Sequence, residues 1–332
     1  MINFQHLKET IVSHVHNFRK PGKPAYQYRR SAEAPSSLAA SCDAALILYS
    51  INELSSTDFR AWAAYINSFQ DPETGWYRDR ESEWVEPFRQ DPWLFGLALR
   101  ALNALNRQPA HPLSFLREWD TPEKMRRWIM SGKGIMHMAI IWFCSGRDFF
   151  PFDNFESTFF QILFENTDLF LPDRPAFQDA LVRHESTPGN RILKDPFHNL
   201  FAWYAAGREL PDKELYIDWF LNEQNPDGLF FQNSTIATYA HMDGLQLLVA
   251  FSQTTDYRNE DCRKAVERGL NAVFSDNHFS SFWTPDCIHL MLASCETVTQ
   301  ALRLFPDHPL AEINWNPVWN LNMWKLNPTC FQ

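Results

Sequence analysis

Glycine is scarce in this chain, with 11 among 332 residues. Neither a G-x-G-x-x-G nor a G-x-x-x-x-G-K-[ST] run occurs, which excludes the usual glycine loops that cradle phosphates. The six cysteines (Cys42, Cys144, Cys262, Cys287, Cys295, Cys330) lie far apart and form no C-x-x-C pair. A disulfide framework belongs to small secreted chains, so reduced and mostly buried thiols are expected. No metal or cofactor is expected either. Positive charge is in deficit: 30 Lys and Arg stand against 40 Asp and Glu, a net charge of −10. That balance excludes a broad basic face for nucleic acid. No run of about 18 apolar residues is free of charge, so no transmembrane helix is expected. The start, Met1 to Lys8, lacks the basic-then-apolar order of a secretory signal, and a cytoplasmic location is expected.

Aromatic residues are abundant. They make up 15% of the chain, with 28 Phe and 13 Trp. At roughly 100–200 residues per domain the length admits one large domain or two small ones. A chain of this size buries about three quarters of its unfolded surface.

The dominant hydrophobic period is helical. One set of segments is apolar nearly all round: 38–54, 92–105, 134–145, 196–207, 238–252 and 286–304. A second set carries charge on one face: 4–18, 57–69, 113–131, 154–166, 212–224 and 259–274. A helix apolar on every side must be surrounded by protein, while a striped helix faces water. No alternating run bounded by hairpin turns reads as a strand. The expected class is therefore all-α. Six inner helices alternating with six outer ones predict an (α/α)6 barrel, or toroid, as a single domain over 1–332. A two-layer helical array would show a similar alternation.

Two short patterns repeat. Gln90-Asp91-Pro92-Trp93 and Lys194-Asp195-Pro196-Phe197 each open an apolar segment, with Asp at the N-cap and Pro at the first helical position. The striped segments end in a second pattern. One copy runs from Arg60 through Gln70-Asp71-Pro72-Glu73-Thr74-Gly75-Trp76. Another runs Trp219-Phe220-Leu221-Asn222-Glu223-Gln224-Asn225-Pro226-Asp227-Gly228-Leu229-Phe230. A degenerate third is Arg268 to Phe274, followed by Phe282-Trp283. In each good copy Gln is expected to cap the helix end, Pro and Gly to reverse the chain, and the aromatic ring to pin the turn.

These copies resemble the Gln–Trp repeats of terpenoid cyclases and protein prenyltransferases, whose domains are α/α toroids. The resemblance implies the toroid and an isoprenoid substrate in its central cavity. The D-x-D-D acid motif of class II cyclases is absent; Ser41-Cys42-Asp43 at the start of an apolar helix offers one carboxylate there. No D-D-x-x-D motif occurs, and Asp286-Cys287 lacks the spacing of the prenyltransferase zinc set. Toroids of this kind also resemble the scaffolds of polysaccharide lyases and of non-enzymatic thioester domains.

In an α/α barrel the first turns of the apolar helices collect at one mouth. Asp43, Asp91, His137, Asp195, His198, Asn199, Tyr239, His241, Asp243, Asp286 and His289 all fall in or near such turns. Polar groups on apolar helices are costly to bury unpaired, and Asp and His supply acid–base partners. Asp43, His198, Tyr239, His241 and Asp243 are the candidate catalytic residues. Two loops rich in Arg and aromatics, 76–91 and 168–194, are candidate lids. Tyr28, Arg30, Trp76, Arg78, Trp84, Asp91, Trp93, His137, Asn199, Asp286 and His289 are the candidate substrate-binding residues. Several have plain structural readings, Asp91 and Asp195 as N-caps and His137 as core.

Three functions follow. The first is a cyclase-like lyase or isomerase on an isoprenoid, with Asp43 as acid and aromatic faces stabilising cations. The second is a uronate polysaccharide lyase, in which Tyr239 and His241, with His198-Asn199, resemble the clusters of α/α-barrel alginate lyases. The third is a non-catalytic binding toroid. The expected partner is a small or oligomeric substrate; the sequence does not set the oligomeric state.

Overall fold

A computed structural model describes residues 4–24, 26–55, 58–79, 92–130, 154–165, 210, 212–230 and 238–318. Among the described residues the structure is helical and holds no β-strand, only isolated bridges. The helices are α1 (Phe4–Asn17), α2 (Leu38–Ser50), α3 (Phe59–Asn67), α4 (Pro92–Ala104), α5 (Pro122–Met130), α6 (Phe155–Phe164), α7 (Lys213–Glu223), α8 (Thr238–Thr254), α9 (Asn259–Ala272), α10 (Phe279–Trp283) and α11 (Ile288–Ala301). Short 3-10 turns cover Ser114–Trp119 and Pro309–Ile313. The striped segments appear as α1, α3, α5, α6, α7 and α9, and four of the apolar ones as α2, α4, α8 and α11. The expected helices at 134–145 and 196–207 lie outside the described residues. No helix among the described residues is long and apolar enough to cross a membrane.

The two sets differ in burial as their composition requires. Every residue of α2 except Tyr49 is buried. Leu94 to Leu102 of α4 and Met291 to Ala301 of α11 are buried without a break. On α3 only Trp62, Ala63 and Ile66 are buried, the three- and four-residue spacing of one helical face. Ser294, Thr297 and Thr299 each donate a hydroxyl to a carbonyl three or four residues back.

Asparagine stops two of the apolar helices. The segment expected to run to 54 ends at Ser50, because Asn52 turns left-handed (φ 57°) and Glu53 N–H returns to the Leu48 carbonyl. Asn106 (φ 51°) does the same after α4, with Arg107 N–H on the Leu102 carbonyl. Asn tolerates that conformation better than most residues with a Cβ.

The chain divides into two compact units. One comprises Val12–Leu163, Asp286–His289 and Val318–Gln332. Within it α2 packs on α4, and α3 packs on both. The other comprises Met1–Ile11, Phe164–Pro285 and Leu290–Pro317. Within it α8 packs on α9, and α7 packs on both.

Each unit contains one good copy of the Gln–Gly–aromatic turn, and the glutamine does something other than cap its own helix. Gln70 Nε2 donates to the Gly75 carbonyl (3.2 Å) and to the His111 carbonyl (2.9 Å), while Oε1 accepts from His111 N–H (2.8 Å). Gln224 Nε2 donates to the Gly228 carbonyl (2.9 Å) and to the Ala265 carbonyl (2.7 Å), while Oε1 accepts from Arg268 (2.6 Å). The carboxamide therefore closes its own turn and stitches it to backbone 41 residues further on in both copies. The aromatics pin the turn as expected. Trp76 stacks on Phe115 (3.8 Å) and meets Phe95 edge-on, and Phe230 lies on Gly244 of α8. In the degenerate copy Trp283 takes over the tie, its indole N–H donating to the Val273 carbonyl (3.0 Å). Gln70→Ala is expected to cost about 2 kcal/mol, since it strips partners from one buried and two part-buried backbone groups. Equilibrium denaturation measures it, and a loss below about 0.5 kcal/mol would show that the stitch contributes little.

Candidate functional site

Helix α2 starts where its sequence allows it to. Ser37 is the N-cap and accepts from Ala40 N–H (3.2 Å), and the Asp79 carboxylate accepts from Leu38 N–H (2.7 Å). Asp79 is buried and lies just beyond the first Gln–Gly–aromatic turn, so that turn carries a second cap for α2. At the sixth position of the helix comes Asp43, on a helix made mostly of alanine, leucine and isoleucine. A lone carboxylate there needs a partner.

Its partner comes from 246 positions away. His289, in the first turn of α11, places Nδ1 2.9 Å from Asp43 Oδ1 and 3.0 Å from Oδ2. A carboxylate only accepts, so Nδ1–H is the donor and the ring is fixed in that tautomer. The Asp43 side chain is 1% exposed and that of His289 is 13% exposed. The pair therefore shows its imidazole, and not its carboxylate, to the surroundings.

The neighbours of the pair are also charged or polar. Burial pushes the adjacent Cys42 thiol up, the negative charges of Asp43 and Asp79 push it further, and Arg100 opposes them. Cys42 is thus a protonated packing group and not a nucleophile. Tyr28 is buried and stacked on Trp62 (5.6 Å, 14° between planes). Its hydroxyl is pushed to about 12, chiefly by burial. The Arg30 carbonyl accepts from Ile288 N–H (3.2 Å), so this part of the N-terminal segment abuts the start of α11. Asp286 is exposed, two residues before that start.

The candidates on α8 have a different setting. His241 is 0% exposed and its Nε2 lies 3.0 Å from the Gly269 carbonyl of α9. Against a carbonyl Nε2–H must donate, which leaves Nδ1 as a buried acceptor with no hydrogen bond among the described residues. Phe230 and Phe282 flank the ring at 5.7 and 5.5 Å. Burial depresses the imidazole to about 4, against the smaller opposing effects of the Gly269 carbonyl and Asp227. The ring is a neutral bridge between two helices. Asp243 is buried and Tyr239 half-buried on the same helix.

Among the candidate binding residues, Trp76 is a turn pin, and Arg78 pairs with Asp71 of its own turn (3.2 Å). Trp93 belongs to α4. Trp84, Asp91, His137, His198, Asn199 and the loops over 80–91 and 168–194 lie outside the described residues. No group of three or more His, Cys, Asp or Glu able to hold a metal ion occurs among the described residues.

Nothing in the sequence marks Asp79 or Ser41 as part of this site. Asp79 fell inside a segment read as a lid, and nothing in its neighbours marks it as a cap for a helix 41 residues earlier. Ser37 was accessible: a serine directly before a long apolar run is a helix-start signal. No protein-family model, no curated protein and no solved structure matches this chain.

Proposed function

We propose that this protein is an enzyme that moves a proton on an isoprenoid substrate, as a lyase or isomerase of terpenoid cyclase-like architecture. The same reading joins the alternating helices into one (α/α)6 toroid, with the substrate in its centre. The observation that carries the catalytic part is the buried Asp43–His289 pair. A carboxylate on Nδ1 orients an imidazole and stabilises its protonated form, which is the arrangement a general acid–base group requires. In this reading His289 exchanges the proton with substrate, and Asp43 holds the ring and compensates its charge. The isoprenoid class rests on the Gln–aromatic turns and the wealth of aromatic residues, whose faces stabilise developing cations.

The uronate-lyase reading rests on Tyr239 and His241. With His241 sealed between α8 and α9, no observation favours it.

The test supplies purified protein with prenyl diphosphates, with isoprenoid alcohols and, separately, with uronate oligomers. Isoprenoid turnover is expected, falling about 100-fold or more in His289→Gln and in Asp43→Asn while both remain folded. Turnover untouched by either change would remove the pair from the mechanism. Turnover of uronates alone would replace the substrate class. Binding of an isoprenoid without turnover would make the protein a carrier.

A further inference from the structure

Two residues before Asp43, Ser41 is completely buried on a mostly apolar helix. A serine in such a place ordinarily returns its hydroxyl to its own helix, and Ser41 does so, donating to the Ser37 carbonyl (2.9 Å). That bond alone would make it an inert substitute for alanine. Its oxygen has further work, however. It accepts from Tyr28 N–H (3.2 Å), a backbone group from outside the helix. The Ser41 carbonyl in turn accepts from the Trp62 indole N–H (3.1 Å), and Trp62 stacks on the Tyr28 ring. The Ser41 side chain thereby holds the Tyr28 N–H, and the Tyr28 carbonyl accepts from Ser37 N–H (3.0 Å). The Tyr28 ring is held through Trp62 on the Ser41 backbone carbonyl.

The stretch that begins at Tyr28 ends at Arg30, whose carbonyl accepts from Ile288 N–H. That amide opens α11 and is one of the donors a helix start leaves unmatched. His289 is the next residue. A closed circuit results: Ser41 holds Tyr28, three residues of backbone lead to Arg30, Arg30 holds Ile288, and His289 returns to Asp43 on the helix that carries Ser41. A three-residue stretch spans at most about 11 Å, so Tyr28 and the start of α11 are joined by a short tether. The Asp43–His289 contact tolerates little movement of that tether, because N–H···O hydrogen bonds occupy about 2.7–3.2 Å and are gone by about 3.6 Å.

We propose that Ser41 is a positioning residue for the Asp43–His289 pair, acting through the Tyr28–Arg30 stretch. The proposal deepens the acid–base reading of the pair and rests on it for its functional meaning, but its structural content is testable without turnover.

The test uses the full chain with 15N-labelled histidine and follows the His289 Nδ1–H proton by NMR, assigned through its loss in His289→Gln. In Ser41→Ala that proton is expected to exchange with solvent at least tenfold faster, and Ser41→Thr, which restores a hydroxyl, to recover most of the protection. The His241 Nε2–H proton on Gly269 is the internal control and is expected to be unchanged. If Ser41→Ala does not fold, Ser41→Cys keeps the volume while weakening the hydrogen bond, and the same readings apply. Unchanged His289 exchange in a folded variant overturns the proposal. Equal acceleration at His241 also overturns it, because Ser41 would then act on general stability alone. Where isoprenoid turnover is found, kcat is expected to fall about tenfold in Ser41→Ala with KM unchanged. If the NMR effect appears in a protein with no isoprenoid turnover, the positioning role stands and the enzymatic reading falls.

Discussion

Gly228→Ala is expected to cost about 4 kcal/mol, a large part of the roughly 5–15 kcal/mol that holds a folded domain together. Two effects add. Gly228 has φ +90°, where a residue with a Cβ loses about 1–2 kcal/mol. The added carbon would also sit 2.6 Å from the Arg268 carbonyl oxygen and 2.9 Å from its carbon. Those are backbone atoms of α9, which cannot swing aside as a side chain would, and overpacking of this kind costs about 1–3 kcal/mol or more. Gly75 repeats the situation in the other unit, with φ +83° and a Cβ that would meet the Pro112 carbonyl oxygen and approach Leu113 Cα to 2.8 Å.

Other glycines separate the two effects. Gly22 has φ +69° with nothing within 4 Å, so Gly22→Ala carries the backbone cost alone, about 1 kcal/mol. In helical Gly244 a Cβ would press on the Phe230 ring at 2.8 Å, so Gly244→Ala carries only crowding, about 2 kcal/mol. Urea denaturation of the four variants gives the ranking. If Gly228→Ala proves no worse than Gly22→Ala, the turn does not press on α9 as described.

The second large effect appears on acidification. An imidazole held near 4 in the folded chain and near its ordinary value of 6.5 when unfolded binds its proton more readily in the unfolded state. The stability contributed by neutral His241 is therefore fully present above pH 6.5. It is lost as the pH falls from 6.5 towards 4 and changes no further below that. At about 1.4 kcal/mol per pKa unit the loss approaches roughly 3 kcal/mol. Denaturant titrations at half-unit pH steps measure it. In His241→Phe, which keeps a ring between Phe230 and Phe282, the baseline is lower but the slope over that window is expected to flatten. An unaltered slope would assign the acid sensitivity to other groups.

His241 also shows where reading the chain reaches its limit. The helices were legible because striped and fully apolar segments differ in composition, and α2, α4, α8 and α11 emerge as buried as their sequences demand. The same uniformity hides orientation. A helix apolar on every side has no stripe, so nothing in residues 238–254 tells which neighbour His241 faces. It faces the striped helix α9, through the gap that Gly269 leaves. Asp43 and His289 were each placed in the first turns of apolar helices, yet their pairing depends on rotation about two helix axes, which the sequence leaves open. The role of Gln70 and Gln224 illustrates a further limit. The turn pattern identified the residue but pointed to a helix cap; the side chain instead closes its own turn, and its second partner is bare backbone with no residue signature.

That second partner has a consequence for synthesis. Gln70 reaches His111, Gln224 reaches Ala265, and Arg263 reaches the Leu304 carbonyl, each 41 residues towards the C-terminus. A turn made on the ribosome thus keeps an unfilled acceptor and donor until its clasp is translated. At roughly 5–20 residues per second the wait is about 2–8 s. Loops of such length close in well under a millisecond once the partner exists. Translation speed, and not chain diffusion, is therefore expected to set the pace at which each turn locks, with assembly running in one direction from the amino end.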